Sequence, residues 1–112
     1  MNRASYGVRS WLLQRLTAAY LLGSLAYFLL HLLNARPLAY AAWRAWVAGP
    51  AMSVAVLLFF AALLYHAWVG LRDVVIDYVK PLPAREPVLA GAGAALAFLG
   101  LWAVVIVTRA GA

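Results

Sequence analysis

Three long apolar stretches, each interrupted by only a few polar residues, set the pattern of this chain. The first, residues 12–33, is broken only by Gln14, Arg15, Thr17, Ser24 and His31, and as a helix it would be about 33 Å long. That length crosses a bilayer core of about 30 Å. Arg3 and Arg9 precede it, and Ser10 is placed to cap it. Residues 34–50 form a connector with Arg36, Pro37, Arg44 and a Gly49-Pro50 breaker. Tyr40, Trp43 and Trp46 suit an interfacial aromatic belt, so a short surface helix is expected there. The second span, residues 51–73, should continue as helix past the hydrocarbon edge to Tyr78, where Pro81 and Pro83 stop it. Pro87 then opens a third span, residues 88–108, followed by Arg109. The pattern predicts an all-α integral membrane protein: a single membrane-anchor domain over residues 1–112, with three transmembrane helices.

Composition strengthens that reading. Hydrophobic residues make up 68% of the 112 and charged residues 11%, against roughly 45–50% and 25% in soluble domains. A water-soluble fold of this size has no way to hide so much apolar surface. The net charge of +6 is not gathered into the basic cluster that nucleic-acid binding needs, so no nucleic-acid partner is expected. Instead it records topology. Arg3, Arg9, Arg15, Arg72, Lys80 and Arg85 fall on one side and Arg36, Arg44 and Arg109 on the other, which places the N-terminus in the cytoplasm. Ala39-Tyr40-Ala41 imitates a signal-peptidase site, but signal cores are usually about 7–15 apolar residues and this run is longer. With no cysteine, the chain cannot itself ligate an iron–sulfur cluster through thiolates.

The third span carries Gly91, Gly93, Ala94, Ala97 and Gly100, with Gly93 and Ala97 forming a small-xxx-small pair. These small residues point to close helix packing. Together with the buried polar groups of the other spans, they make the chain part of a heteromeric helix bundle.

Candidate chemistry concentrates between Tyr65 and Pro81, which holds one of the two histidines and two of the three acidic residues. On a helix, Gly70, Asp73 and Asp77 all fall within about 40° of His66. A histidine within a span has three uses: to ligate haem, to relay protons, or to hydrogen-bond a neighbouring helix. His31 does not pair with His66 on one iron, because helical rise separates them by roughly 20 Å in depth. An interfacial role is expected for His31. Arg15 lies inside the first span near the depth of His66, where a cation snorkels to headgroups or meets an anion such as a haem propionate. Asp77, Tyr78 and Lys80 stand where the second helix leaves the hydrocarbon. There a phenol can donate to a quinone carbonyl, or the three can be ordinary interfacial groups. Asp73 is expected to pair with Arg72.

His66-Ala67-Trp68-Val69-Gly70 followed by Asp77-Tyr78-Val79-Lys80-Pro81 resembles the second helix of the succinate dehydrogenase hydrophobic membrane anchor family. Trp11-Leu12-Leu13-Gln14-Arg15-Leu16-Thr17-Ala18 is similar to the start of that family's first helix, whereas the third helix contributes only hydrophobicity. The resemblance implies that His66 ligates haem b together with a histidine of a cytochrome b556-type membrane subunit, and that Arg15 lies by the haem propionates. It implies that Tyr78 hydrogen-bonds ubiquinone and that Asp77 borders the same site. FAD and the iron–sulfur clusters would reside in flavoprotein and iron–sulfur subunits docked on a bacterial inner membrane. Two rival readings are a structural anchor without haem and a proton-conducting transporter subunit.

Overall fold

The computed structural model describes residues 3–35 and 39–111. Arg36 and Pro37 of the connector lie outside the described residues, as does the side chain of Arg3. The described residues form four helices: α1 (Arg3–Asn34), α2 (Tyr40–Ala48), α3 (Pro50–Tyr78) and α4 (Leu82–Ala110). The three long ones are each apolar and long enough to cross a membrane, which bears out the all-α, three-span expectation. At 29 residues, α3 is about 43 Å long and outruns a hydrocarbon core of about 30 Å, as its polar end beyond residue 71 requires.

α3 is the middle helix, with α1 packed on one side and α4 on the other. α2 lies across α3 and α4 at the end opposite the α3–α4 turn. Among the described residues, only Val47, Val69, Val75, Ala103 and Val107 are buried, and large apolar side chains cover the outside. In water that surface would drive aggregation. In lipid, helices associate by close packing, not by apolar burial, and such faces are ordinary.

The packing seams follow a 3.5-residue repeat. On α4, Leu89, Gly93, Leu96, Gly100, Ala103, Val107 and Ala110 are buried or half-buried, spaced alternately four and three apart. This is the pattern of left-handed helix packing. A Cβ on Gly93 would lie 3.4 Å from the Trp68 ring, and one on Gly100 would lie 2.9 Å from Leu64 Cδ1, so these glycines receive α3 side chains. Gly93 therefore pairs along the seam with Gly100; the Ala97 of the expected small-xxx-small pair is exposed. On α1, Ser10, Gln14, Thr17, Leu21, Ser24, Phe28 and His31 are half-buried at the same alternation. Every polar interruption of the first span except Arg15 thus falls on one stripe.

Two helix starts differ from expectation. α1 begins at Arg3, so Ser10 does not cap it; its hydroxyl instead accepts from the Arg72 guanidinium at 3.5 Å. α4 begins at Leu82, with Pro83 in its first turn, and Pro87 lies inside the helix. A proline that close to the start removes one early backbone bond without stopping the helix. The α3 end matches expectation at Tyr78. The turn beyond it is closed by Ala84 N–H donating to the Pro81 carbonyl at 2.9 Å and by Arg85 Nε donating to the Val79 carbonyl at 2.7 Å.

Candidate functional site

His66 is half-buried on α3, facing α1. Its Nδ1 lies 3.1 Å from Thr17 Oγ1, and its backbone carbonyl accepts a bond from Gln14 Nε2 at 3.3 Å. Two residues one turn apart on the α1 stripe therefore hold both the ring and the main chain of His66. The Thr17 hydroxyl also lies 2.8 Å from the Leu13 carbonyl and 3.1 Å from the Gln14 carbonyl, a back-bonded arrangement common for threonine in a helix. Gln14 Oε1 is buried with no partner among the described residues. These α1 contacts set the level of His66 without any reference to the membrane. One turn beyond His66, a Cβ on Gly70 would meet nothing within 4 Å, so no other helix of this chain packs against α3 at that glycine.

Arg15 sits in the chain between the two α1 residues that hold His66, at its level as the depth argument required. It does not touch His66. Helical geometry turns Arg15 about 100° from Gln14, away from the α3-facing stripe, and its guanidinium lies 5.4 Å from the centroid of the Trp11 ring.

His31 is differently engaged. Its ring stacks on Trp46 of α2 at 3.8 Å and 6°, and Phe28, beside it on the stripe, packs edge-on against both Trp46 and Phe59. Thr17 is the hydrogen-bond partner of His66, and His31 lies about 21 Å further along α1 by helical rise. The two histidines belong to different levels of the helix trio, His31 near the α2 end and His66 near the middle of α3. Among the described residues, no three of His, Cys, Asp and Glu lie close enough to hold a metal ion by themselves. His31 is therefore too far from His66 for the two to share one metal ion.

At the turn end, Arg72 donates to Asp73 Oδ1 through Nε at 3.2 Å and Nη2 at 3.1 Å, so Asp73 is paired as expected. Asp77 and Tyr78 are exposed, Tyr78 at 78%, and neither has a hydrogen-bond partner among the described residues. Lys80 follows in the turn and is likewise exposed. Asp77 lies about 20° and Tyr78 about 120° round α3 from His66, at about 16 to 18 Å further along the axis. The site residues thus form two groups on one helix: His66 among α1 side chains, and a carboxylate and a phenol at the free end.

Sequence reasoning missed Gln14 and Thr17 as the partners of His66. The signal was present in the spacing of Ser10, Gln14, Thr17, Ser24 and His31, which already repeats at 3.5 residues.

The model of a family described as succinate dehydrogenase/fumarate reductase transmembrane subunit matches residues 1–90. The succinate dehydrogenase hydrophobic membrane anchor subunit of Coxiella burnetii (strain RSA 493 / Nine Mile phase I) is 38% identical over 80 residues, covering 70% of this chain and 69% of that protein. Because the family match runs from α1 through the whole of α3, where Arg15, His66, Asp77 and Tyr78 all lie, the chain belongs to the succinate dehydrogenase/fumarate reductase transmembrane subunit family.

Proposed function

We propose that this membrane anchor subunit of succinate dehydrogenase supplies one axial ligand, His66, to a haem b shared with a cytochrome b-type membrane subunit, and borders the site where ubiquinone is reduced. The observation that carries the proposal is the setting of His66. It is held on one edge by α1, no other helix of this chain packs at Gly70 one turn on, and it lies roughly 20 Å in depth from the only other histidine. A single imidazole with an unpacked glycine one turn along the same face suits a flat macrocycle clamped between two chains. When bound, haem b supplies a one-electron store next to the quinone.

Arg15, turned away from the other helices of its own chain, is available to a propionate carried at the level of His66. At the helix end, the Tyr78 hydroxyl donates a hydrogen bond to a ubiquinone carbonyl, and Asp77 carries protons that the two-proton, two-electron reduction consumes. FAD and iron–sulfur clusters held by flavoprotein and iron–sulfur subunits would supply the electrons from succinate. The excess of Lys and Arg at the turn end supports a cytoplasmic N-terminus in a bacterial inner membrane, with that head docked on the same face. Asp73 is committed to Arg72, which breaks the run of free carboxylates that a proton channel along α3 would use.

The test is a reduced-minus-oxidised spectrum of the purified complex for the wild type and His66→Leu. The leucine variant is expected to lose the b-type signal, and an unchanged signal would remove His66 from the haem.

A further inference from the structure

We infer that Thr17 is a positioning residue that holds His66 in the tautomer protonated on Nδ1, so that Nε2 presents its lone pair for ligation. The Thr17 hydroxyl has one hydrogen and three neighbours: the Leu13 carbonyl at 2.8 Å, the Gln14 carbonyl at 3.1 Å and His66 Nδ1 at 3.1 Å. Carbonyl oxygens only accept. A separation of 2.8 Å is the ordinary length of an O–H···O bond, and two oxygens at that distance with no hydrogen between them repel through their lone pairs.

The hydroxyl proton therefore points at the Leu13 carbonyl, and the contact with His66 draws its hydrogen from Nδ1. In a neutral imidazole that leaves Nε2 unprotonated. The reverse assignment gives up the shorter bond for a longer one and leaves the two oxygens facing each other bare. Gln14 completes the hold by donating to the His66 carbonyl, so ring and backbone are fixed from one stripe of α1.

The inference rests on the reading of His66 as a haem ligand and says what α1 contributes to it. A bond from Nδ1–H to a neighbouring oxygen fixes the orientation of a metal-bound imidazole and raises its basicity, and loss of such a partner typically weakens metal binding about 10–100-fold. A more basic ligand favours the ferric form, so the intact bond lowers the reduction potential of the haem.

The experiment compares Thr17→Val, Thr17→Ser and Thr17→Ala in the purified complex. Its readouts are the rate of haem loss to an external haem scavenger and the haem midpoint potential in a redox titration. Valine keeps the shape of threonine and removes the hydroxyl. Serine and alanine differ only by that hydroxyl, so this pair carries the comparison if valine disturbs packing. Valine and alanine are expected to release haem about 10–100-fold faster and to raise the midpoint potential, with serine close to wild type. Wild-type retention and potential in valine and alanine overturn the inference, and so does serine behaving like alanine. His66→Leu, measured alongside, separates the two readings. An unchanged b-type signal in that variant defeats ligation by His66 and this inference with it. Loss of the signal there, with no effect at Thr17, defeats this inference alone.

Discussion

His31 and His66 are the same residue type at different levels of one helix trio, and their neighbours hold them differently. At the α2 end, the face of the His31 ring is covered by Trp46 within an aromatic cluster that also takes in Phe28 and Phe59. At the level of Thr17, the His66 ring is held by one edge, and no other helix of this chain packs at Gly70 one turn on. A histidine whose face is consumed in packing ties two helices together. One held by a single nitrogen has its other nitrogen without a hydrogen-bond partner among the described residues, which is what the proposed ligation requires.

The largest expected effect breaks the comparison directly. His31→Leu should leave the b-type spectrum of the purified complex unchanged, in contrast to the loss expected for His66→Leu. A haem signal that disappears in the His31 variant while the complex still assembles would contradict the assignment of the two ends.

The next effect concerns the free end of α3. Tyr78→Phe removes the phenolic donor and leaves the ring, so ubiquinone reductase turnover should fall by about 10-fold or more, the loss of roughly 1.4 kcal/mol or more of transition-state stabilisation. Succinate oxidation with an artificial acceptor that bypasses the quinone should stay at wild-type rate. Normal quinone turnover with normal inhibitor sensitivity would take Tyr78 out of the site.

Trp46→Ala sharpens the view of the α2 end as structural. Removing a half-buried tryptophan that stacks on His31 should cost about 2 kcal/mol, below the roughly 3–5 kcal/mol of a fully buried site. The readout is faster thermal inactivation of the complex with an unaltered b-type spectrum before heating. A changed spectrum would mean that the two ends are coupled.

How far the sequence could be read follows the same division. The three spans were legible because a lipid environment leaves long apolar runs nowhere else to go, and the end of α3 was legible because Pro81 and Pro83 cannot continue it. The starts of α1 and α4 were not, since hydropathy marks the hydrocarbon and says nothing of helix that runs on beyond it. His66, Arg15 and Asp77 stood out as ionisable groups in or beside apolar spans. Their partners did not, because whether Thr17 meets His66 depends on the register of α1 against α3. The 3.5-residue stripe on α1 shows which side of that helix packs, but not which residue of a neighbour lies opposite. The Gly93-Ala97 pair misled for a related reason: a four-residue spacing is only half of a seam that alternates four and three, and the continuation runs through Gly100.

The smallest effect is expected where two carboxylates one helical turn apart are compared. Asp73 is paired with Arg72, with side-chain exposures of 59% and 27%, and Arg72 also reaches Ser10 on α1. A half-exposed pair of adjacent residues contributes about 0.2–1 kcal/mol, and asparagine keeps an oxygen that accepts from the guanidinium. Asp73→Asn should therefore change thermal stability by under about 1 kcal/mol and leave quinone turnover at the wild-type level. Asp77 has no such partner among the described residues and stands next to Tyr78. Asp77→Asn should lower quinone turnover several-fold while succinate oxidation with the artificial acceptor is preserved. Equal losses from the two substitutions would mean that the charge of the helix end as a whole, and not one carboxylate beside the phenol, sustains the reaction.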